Sequence, residues 1–287
     1  MMQTFLEWID PPNLNITPDK QETDNKHTDN LLDSKNDHFL KTLPLPKLSI
    51  QDRDNVKQYS GMIPTEDPNV YENGSSKMNT ASLDIKRKFH LKVPTEVLAN
   101  QHKKSLIKTA ALNNTLDKFP APSETLTVYS GTSVNPQNYI LHTGGLAHIP
   151  CFTSSSLDPR IARGFASGHQ QGDAAHLLRI HIKPGQHVGG FIHPLSKFDA
   201  EKEFLSKSNQ MLLIHPNPSI NGHYEDERTG ETKPLLIWDA HYPSEDEIQE
   251  HIKKYPNAIH EYNSHKALTQ LLDKQQPTNS YKDKIRW

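Results

Sequence analysis

Cysteine is nearly absent from this chain, which has one, Cys151, among 287 residues. A single cysteine excludes an intramolecular disulfide framework and any zinc site made of several cysteines. Long apolar runs are also missing, since none approaches the roughly 18–20 residues that cross a bilayer. Met1–Asp10 has no leading Lys or Arg, so it is not typical of a secretory signal. These absences predict a cytoplasmic protein with no membrane contact.

The chain has no large excess of charge of either sign. Its 32 Lys and Arg residues oppose 34 Asp and Glu residues, for a formal net charge of −2. This balance gives no electrostatic reason to expect nonspecific binding to nucleic acid. The 17 histidines show no HExxH or zinc-like spacing, so we expect no metal. There is also no GxGxxG and no Walker pattern, which argues against a Rossmann or P-loop nucleotide site.

Composition and periodicity divide the chain into parts. Residues 17–30 contain no apolar side chain and cannot bury enough surface to offset the entropy of ordering. Helical patterns come next, and short strands begin near Thr125, an order that indicates an α+β fold. The predicted parts are a polar arm over 1–45, a catalytic domain over 46–242 (helical lobe 46–122, strand-rich core 123–242) and a helical C-terminal extension over 243–287.

Two glutamates, Glu201 and Glu203, flank Lys202 where a loop enters a predicted strand. On a strand, alternation places both carboxylates on one side and Lys202 on the other. When two like charges lie side by side, the pKa of one of them is raised. Groups with perturbed pKa values concentrate at functional sites. The pair is therefore a candidate catalytic centre.

Two further motifs precede this pair in the chain. Val128-Tyr129-Ser130-Gly131 ends a predicted strand, and Ser154-Ser155-Ser156-Leu157 ends another. The serine triplet runs into a helix for which Asp158 is a suitable N-cap and Pro159 a suitable first residue. The lone Cys151, just before the triplet, has no basic neighbour and is expected to be a buried strand residue.

A serine triplet followed by an E-x-E strand resembles the arginine-type mono-ADP-ribosyltransferases, which include binary clostridial toxins and phage-encoded enzymes. Phe165 lies where this family has an aromatic that packs on nicotinamide, and Phe198 where it has an acceptor-facing aromatic. The resemblance covers about residues 50–242. It implies an α+β fold with a split core of two small β-sheets and a helical N-terminal lobe.

The resemblance also implies roles for individual residues. Glu203 would stabilise the sugar cation, Ser154 would orient Glu203, and Glu201 would act on the incoming nucleophile. A glutamate at position 201 implies arginine acceptors in this family. NAD would be a substrate, held without a metal in a dinucleotide-sized hollow. Its expected contacts are Tyr129, Ser130, Gly131, Ser155, Ser156 and Phe165, and the acceptor contact is Phe198.

The sequence departs from the family at Ser130, because the family has an arginine there that holds the NAD phosphates. A serine donates one neutral hydrogen bond and cannot form a bidentate pair with phosphate. Either Ser130 contributes modestly and another cation (Arg160, Arg163 or Arg179) supplies the charge, or NAD binding has decayed.

Three functions are therefore open. The first is transfer of ADP-ribose to a host or target protein, with nucleic acid left open as an acceptor. The second is NAD hydrolysis, in which water replaces the acceptor. The third is a catalytically degenerate binding or virion protein, which the serine at position 130 would permit.

Overall fold

The computed structural model describes residues 46–64, 71–132, 134–167, 174–193, 195, 202–225, 230 and 232–275. The predicted arm over 1–45 therefore lies outside the described residues. Within them the chain forms eight α-helices: α1 Ile50–Ser60, α2 Gly74–His90, α3 Thr95–Gln101, α4 Lys103–Leu116, α5 Gln137–Thr143, α6 Pro159–Ser167, α7 Glu245–Lys254 and α8 Ile259–Asp273.

The same described residues contain eleven β-strands: β1 Met62–Pro64, β2 Tyr71–Asn73, β3 Leu126–Thr132, β4 Leu146–Ile149, β5 Thr153–Ser156, β6 Ala175–Ile182, β7 Gly189–Phe191, β8 Glu203–Ser206, β9 Gln210–Ile214, β10 Ser219–Glu225 and β11 Thr232–His241. Helices dominate before β3 and strands dominate from β3 to β11. The predicted α+β class is confirmed.

The helical lobe consists of α1 to α4 with the small β1–β2 hairpin. Ser49 and Asp52 form a capping box that begins α1, as their spacing predicted. On α4, Leu112 and Leu116 are fully buried, and Phe119 lies just beyond the helix and is also buried. These three side chains share one apolar cluster with Phe152 and Leu205, which joins the lobe to the strand-rich core.

Nine of the described strands form one sheet: eight follow the hydrogen-bonded order β4-β9-β11-β6-β3-β5-β8-β7, and the ninth, β10, pairs with β11. Among the strand pairs that the described residues form in this sheet, only β11–β6 is parallel. The ladder narrows to one residue pair between β3 and β5, Tyr129 with Ser156. The sequence predicted a core split into two small sheets. The structure has one sheet that is nearly divided at this junction, where a single residue pair connects its two parts.

Helix α6 covers one face of the sheet beside this junction. Asp158 caps the helix, its Oδ1 accepting from the backbone N–H of Arg160 at 2.9 Å. Ala162 and Ala166 of α6 pack with Tyr129 in an apolar cluster. The helix approaches so closely that a Cβ on Gly131 would lie 2.2 Å from the backbone nitrogen of Ala166. Glycine at 131 is therefore what allows α6 to sit on the end of β3.

The two C-terminal helices pack against the rest of the protein. The expected capping box of Ser244 and Glu247 begins α7. On α8, Leu268 and Leu271 are buried with Leu106 of the lobe. Glu261 of α8 accepts from Lys86 of α2 at 2.8 Å. The described part of the 243–287 extension thus packs on the helical lobe, whereas the division of the chain into 46–242 and 243–287 stays a prediction.

Candidate active site

Glu203 and Ser154 are brought together by the pairing of β5 with β8. The antiparallel register places Ser156 opposite Glu203 and Ser154 opposite Leu205. Because alternate residues of a strand share a face, Ser154, Ser156 and Glu203 lie on the same side of the sheet. The Ser154 Oγ donates to Oε1 of Glu203 at 2.7 Å. The predicted contact between serine and carboxylate is therefore present.

Glu203 is a buried carboxylate, with 6% of its surface exposed. A charge in such a place is costly unless donors compensate for lost water, and Ser154 is one such donor. Tyr59 of α1 lies on the lobe side of the same group. Burial and the charge of Glu203 both raise the pKa of Tyr59, so this phenol stays protonated. Glu203 is thus a largely dehydrated carboxylate that the Ser154 hydroxyl holds in place.

Glu203 lies in the wall of a hollow between the sheet junction and α6. The volume of the hollow is about 230 Å³, including the space where it opens to solvent. This is below the ~300–1,000 Å³ typical of sites that bury a drug-sized ligand, so the expected dinucleotide-sized hollow is not what is found. The space suits one end of a dinucleotide, and the remainder would lie across the open face. The lining residues are Tyr129, Ser130, Gly131, Ser154, Ser155, Ser156, Ile161, Ala162, Phe165 and Glu203.

All six residues expected to contact NAD line this hollow, in different ways. Phe165 projects from α6 with half of its surface exposed, so one ring face is available to a planar ligand. Ser156 accepts from the Asp158 backbone N–H at 3.0 Å and thereby shapes the turn into α6. Tyr129 is almost fully buried and packs under α6, so it forms the floor.

Ser155 differs from its two neighbours in direction. It pairs with Phe204, so its side chain shares the face of that ring and points away from Glu203. Its Oγ is buried and has no hydrogen-bond partner. Ser155 therefore reaches the hollow through its backbone, and its expected contact with NAD cannot come from the hydroxyl in this arrangement.

The conformation of Lys202 corrects the alternation argument. Its φ is +46°, in the left-handed region, and β8 begins only at Glu203. Lys202 is therefore not extended, and alternation along a strand does not place Glu201 beside Glu203. A lysine in this region costs energy, as is common at functional sites. Glu201 and Phe198 lie outside the described residues.

Ser130 does not offer its hydroxyl to the hollow as a free donor. Its Oγ donates to the backbone oxygen of Ser154 at 2.9 Å. Of the alternative cations, Arg179 forms a bidentate pair with Asp239 at 2.6 and 2.7 Å. Arg163 donates to the backbone oxygen of His223.

Of the two candidate arginines that pair with a carboxylate, Arg160 has the more exposed side chain. It pairs with Asp158 at 2.7 Å, yet 62% of its side chain is exposed. The pair is bidentate, with Nε 2.9 Å from Oδ1 and a terminal nitrogen 2.7 Å from Oδ2, and the Asp158 carboxylate is buried. Arg160 lies at the start of α6, next to the serine triplet.

Asn79 and Tyr59 were not found by sequence reasoning. The Asn79 Oδ1 accepts from the Phe152 backbone N–H at 3.1 Å, which fixes the chain just before β5. The Tyr59 ring meets the Phe152 ring edge-on at 5.3 Å. The spacing of Val56 and Tyr59 on one face of α1 was the available signal, but it does not reveal which strand that face meets.

Cys151 lies in a bend between β4 and β5 and is only partly buried, so the expectation of a buried strand residue was wrong. Its Sγ donates to the backbone oxygen of Asn79, and burial raises the pKa of the thiol to about 12. A thiol with that pKa is protonated at neutral pH and is a poor nucleophile. Among the described residues, no group of three or more His, Cys, Asp or Glu side chains is placed to hold a metal ion. No helix in the described ranges is both long and apolar enough to span a membrane.

Comparison with solved structures returns ADP-ribosyltransferases. The Vis toxin of Vibrio splendidus, in its complex with agmatine, is 19% identical, with a TM-score of 0.46 over 80% of this chain and 89% of the toxin. The Plx2a toxin of Paenibacillus larvae is 14% identical, with a TM-score of 0.43 over 76% of this chain and 96% of that one. An ADP-ribosyltransferase of Clostridium botulinum is 13% identical, with a TM-score of 0.42 over 74% of this chain and 95% of that one.

All three are ADP-ribosyltransferases, the family that the motif order resembles. No family model matches the chain, and no curated protein sequence does.

Proposed function

We propose that this protein is a mono-ADP-ribosyltransferase that transfers ADP-ribose from NAD to the guanidinium of an arginine in a target protein. The observation that carries the proposal is the buried Glu203 carboxylate, held by the Ser154 hydroxyl at 2.7 Å in the wall of a hollow. The order of the three motifs in the chain supports the same function. A host protein is the expected acceptor if the chain is phage-encoded, and the site would then act in the host cytoplasm.

The chemistry begins at the bond between C1′ of the ribose and N1 of nicotinamide. When this bond breaks, its electron pair goes to nicotinamide, which leaves as a neutral ring, and the sugar becomes an oxocarbenium-like cation. A fixed negative charge beside that cation lowers the barrier. Glu203 supplies the charge and accepts a hydrogen bond from the ribose 2′-OH. Ser154 holds the carboxylate in place.

The hollow would hold the nicotinamide end of NAD. The exposed face of Phe165 suits stacking with the nicotinamide ring, and Tyr129 and Gly131 form the floor beneath it. The phosphates would lie toward the start of α6, beside the exposed side chain of Arg160. Ser155 would contribute through its backbone, and Ser156 through the turn that it stabilises.

The acceptor step would depend on Glu201 and Phe198. A guanidinium has a pKa above about 12, so it cannot be neutralised before it attacks. Glu201 would orient the cation and take its proton as the new bond forms between C1′ and nitrogen. Phe198 would contact the acceptor. The products are then ADP-ribosylated arginine, nicotinamide and one proton.

The test uses the full chain, NAD labelled in the adenylate part, and agmatine as a small guanidine acceptor. We expect labelled ADP-ribosyl-agmatine, with nicotinamide released in equal amount. Free ADP-ribose alone would show a hydrolase and would overturn the transferase assignment. No nicotinamide release with agmatine or a cell lysate would overturn both activities.

A further inference from the structure

The Ser130 side chain lies on the face of the sheet opposite to α6. Strand alternation puts the Ser130 side chain on the face of Val128, opposite to Tyr129 and Gly131, which face α6. Ser130 is 5% exposed, so its hydroxyl has little access to water. It donates instead to the backbone oxygen of Ser154 at 2.9 Å.

This hydrogen bond spans the narrowest point of the sheet. The only ladder pair between the described residues of β3 and β5 is Tyr129 with Ser156. Continuing that antiparallel register would place Gly131 opposite Ser154, but no ladder pair forms there. On its other edge, Ser154 is paired with Leu205 of β8. The Ser130 hydroxyl thus ties Ser154 to β3 where the backbone ladder has ended.

Two hydrogen bonds are linked through Ser154, one to its backbone oxygen and one from its hydroxyl. Ser130 fixes the backbone of Ser154 at 2.9 Å, and the Ser154 hydroxyl fixes Oε1 of Glu203 at 2.7 Å. A rotation or shift of the Ser154 backbone would move its hydroxyl away from the carboxylate. We propose that Ser130 is a positioning residue, which sets the Ser154 hydroxyl on Glu203 by anchoring the Ser154 backbone across the β3–β5 junction.

This inference rests on the proposed function for its catalytic consequence, but not for its geometry. It gives the serine at position 130 a role other than binding phosphate. Ser130 would act on the carboxylate that stabilises the sugar cation, whereas affinity for NAD would come from other groups. A change at Ser130 should therefore lower kcat and leave KM for NAD nearly unchanged.

The experiment compares Ser130→Ala with Ser130→Thr, which keeps the hydroxyl. The matched control is Thr127→Val, which removes a hydroxyl on the same strand that contacts His181 of β6 at 3.2 Å. The first readout is nicotinamide release from NAD. We expect S130A to lower kcat by about three- to tenfold, the value of one neutral hydrogen bond. We expect S130T and T127V to stay near the wild-type rate.

The second readout is the Glu203 carboxyl pKa, measured by carbon-13 NMR titration without NAD. Weakening a hydrogen bond to a carboxylate raises its pKa. S130A should therefore raise the Glu203 pKa, and S154A should raise it further. Tyr59, which interacts with Glu203 from the lobe, has a pKa above its usual 10 and stays neutral during this titration.

The double variant S130A/S154A separates positioning from general stabilisation. If Ser130 acts through Ser154, the double variant matches S154A in kcat and in the Glu203 pKa. Additive effects, an unchanged Glu203 pKa in S130A, or a change confined to KM would overturn the inference. If the wild type shows no activity on NAD, the proposed function fails, and the titration still decides the role of Ser130.

Discussion

Replacing Ser154 with alanine removes the hydrogen bond that its hydroxyl donates to Glu203 while leaving the strand pairing intact. The Ser154 backbone keeps its partner Leu205 on β8, so the fold should change little. The lost bond is short, 2.7 Å, and its acceptor is a carboxylate with 6% exposure. Hydrogen bonds to charged groups contribute about 1.5–3 kcal/mol.

That energy corresponds to a loss of about 10- to 150-fold in rate if the bond is fully used in the transition state. Ser154 itself is exposed, so water can partly replace its hydroxyl, and we expect the lower half of this range. The assay is nicotinamide release at saturating NAD, with the melting temperature as a check on folding. Ser219→Ala, which removes an exposed hydroxyl on β10, is the matched control. A kcat within twofold of the wild type for S154A would refute the reasoning.

Three further predictions concern the floor of the site, its aromatic wall and the acid stability of the fold. Gly131→Ala should destabilise the protein by about 1–3 kcal/mol in a denaturant titration, since its Cβ would meet the α6 backbone at 2.2 Å. A native-like stability would show that α6 can move freely. Phe165→Ala should raise KM for NAD about fivefold with little loss of stability, because the exposed ring would lose its stacking on nicotinamide. An unchanged KM would remove Phe165 from the binding site. The capping and ion-pair contacts of Glu247 hold its pKa at about 2 against an ordinary 4.5, so its stabilising effect is present above pH 4.5 and lost as the pH falls through 2. Glu247→Gln retains the cap but loses the charge, so its melting temperature should lie below that of the wild type above pH 4.5 and converge with it near pH 2. A difference in melting temperature that stays constant with pH would contradict this.

Local sequence signals predicted the elements that carry the site. The capping boxes at Ser49 and Ser244 and the cap at Asp158 each mark a real helix start. These signals work because the orphan N–H groups of a helix need acceptors within a few residues. The contact between Ser154 and Glu203, 49 residues apart, was predicted through the resemblance and not through any local rule.

What sequence reasoning missed depends on pairing and on backbone angle. The direction of Ser155 follows from its partner Phe204, and no local pattern shows that partner. The left-handed backbone of Lys202 was also hidden, because lysine rarely adopts it and no glycine marks the position. The role of Ser130 depends on where the β3–β5 ladder ends, which is a property of the sheet and not of either strand alone.

The central claim is that the negative charge of Glu203 stabilises the sugar cation that develops as nicotinamide leaves. The measurement that tests it most directly is the rate of nicotinamide release from NAD by Glu203→Gln beside the wild type. Glutamine keeps the shape of the side chain and its ability to accept from Ser154, but it removes the charge. We expect a loss of about 100- to 1,000-fold in kcat with an unchanged melting temperature and KM. A Glu203→Gln protein that releases nicotinamide at the wild-type rate would contradict the account.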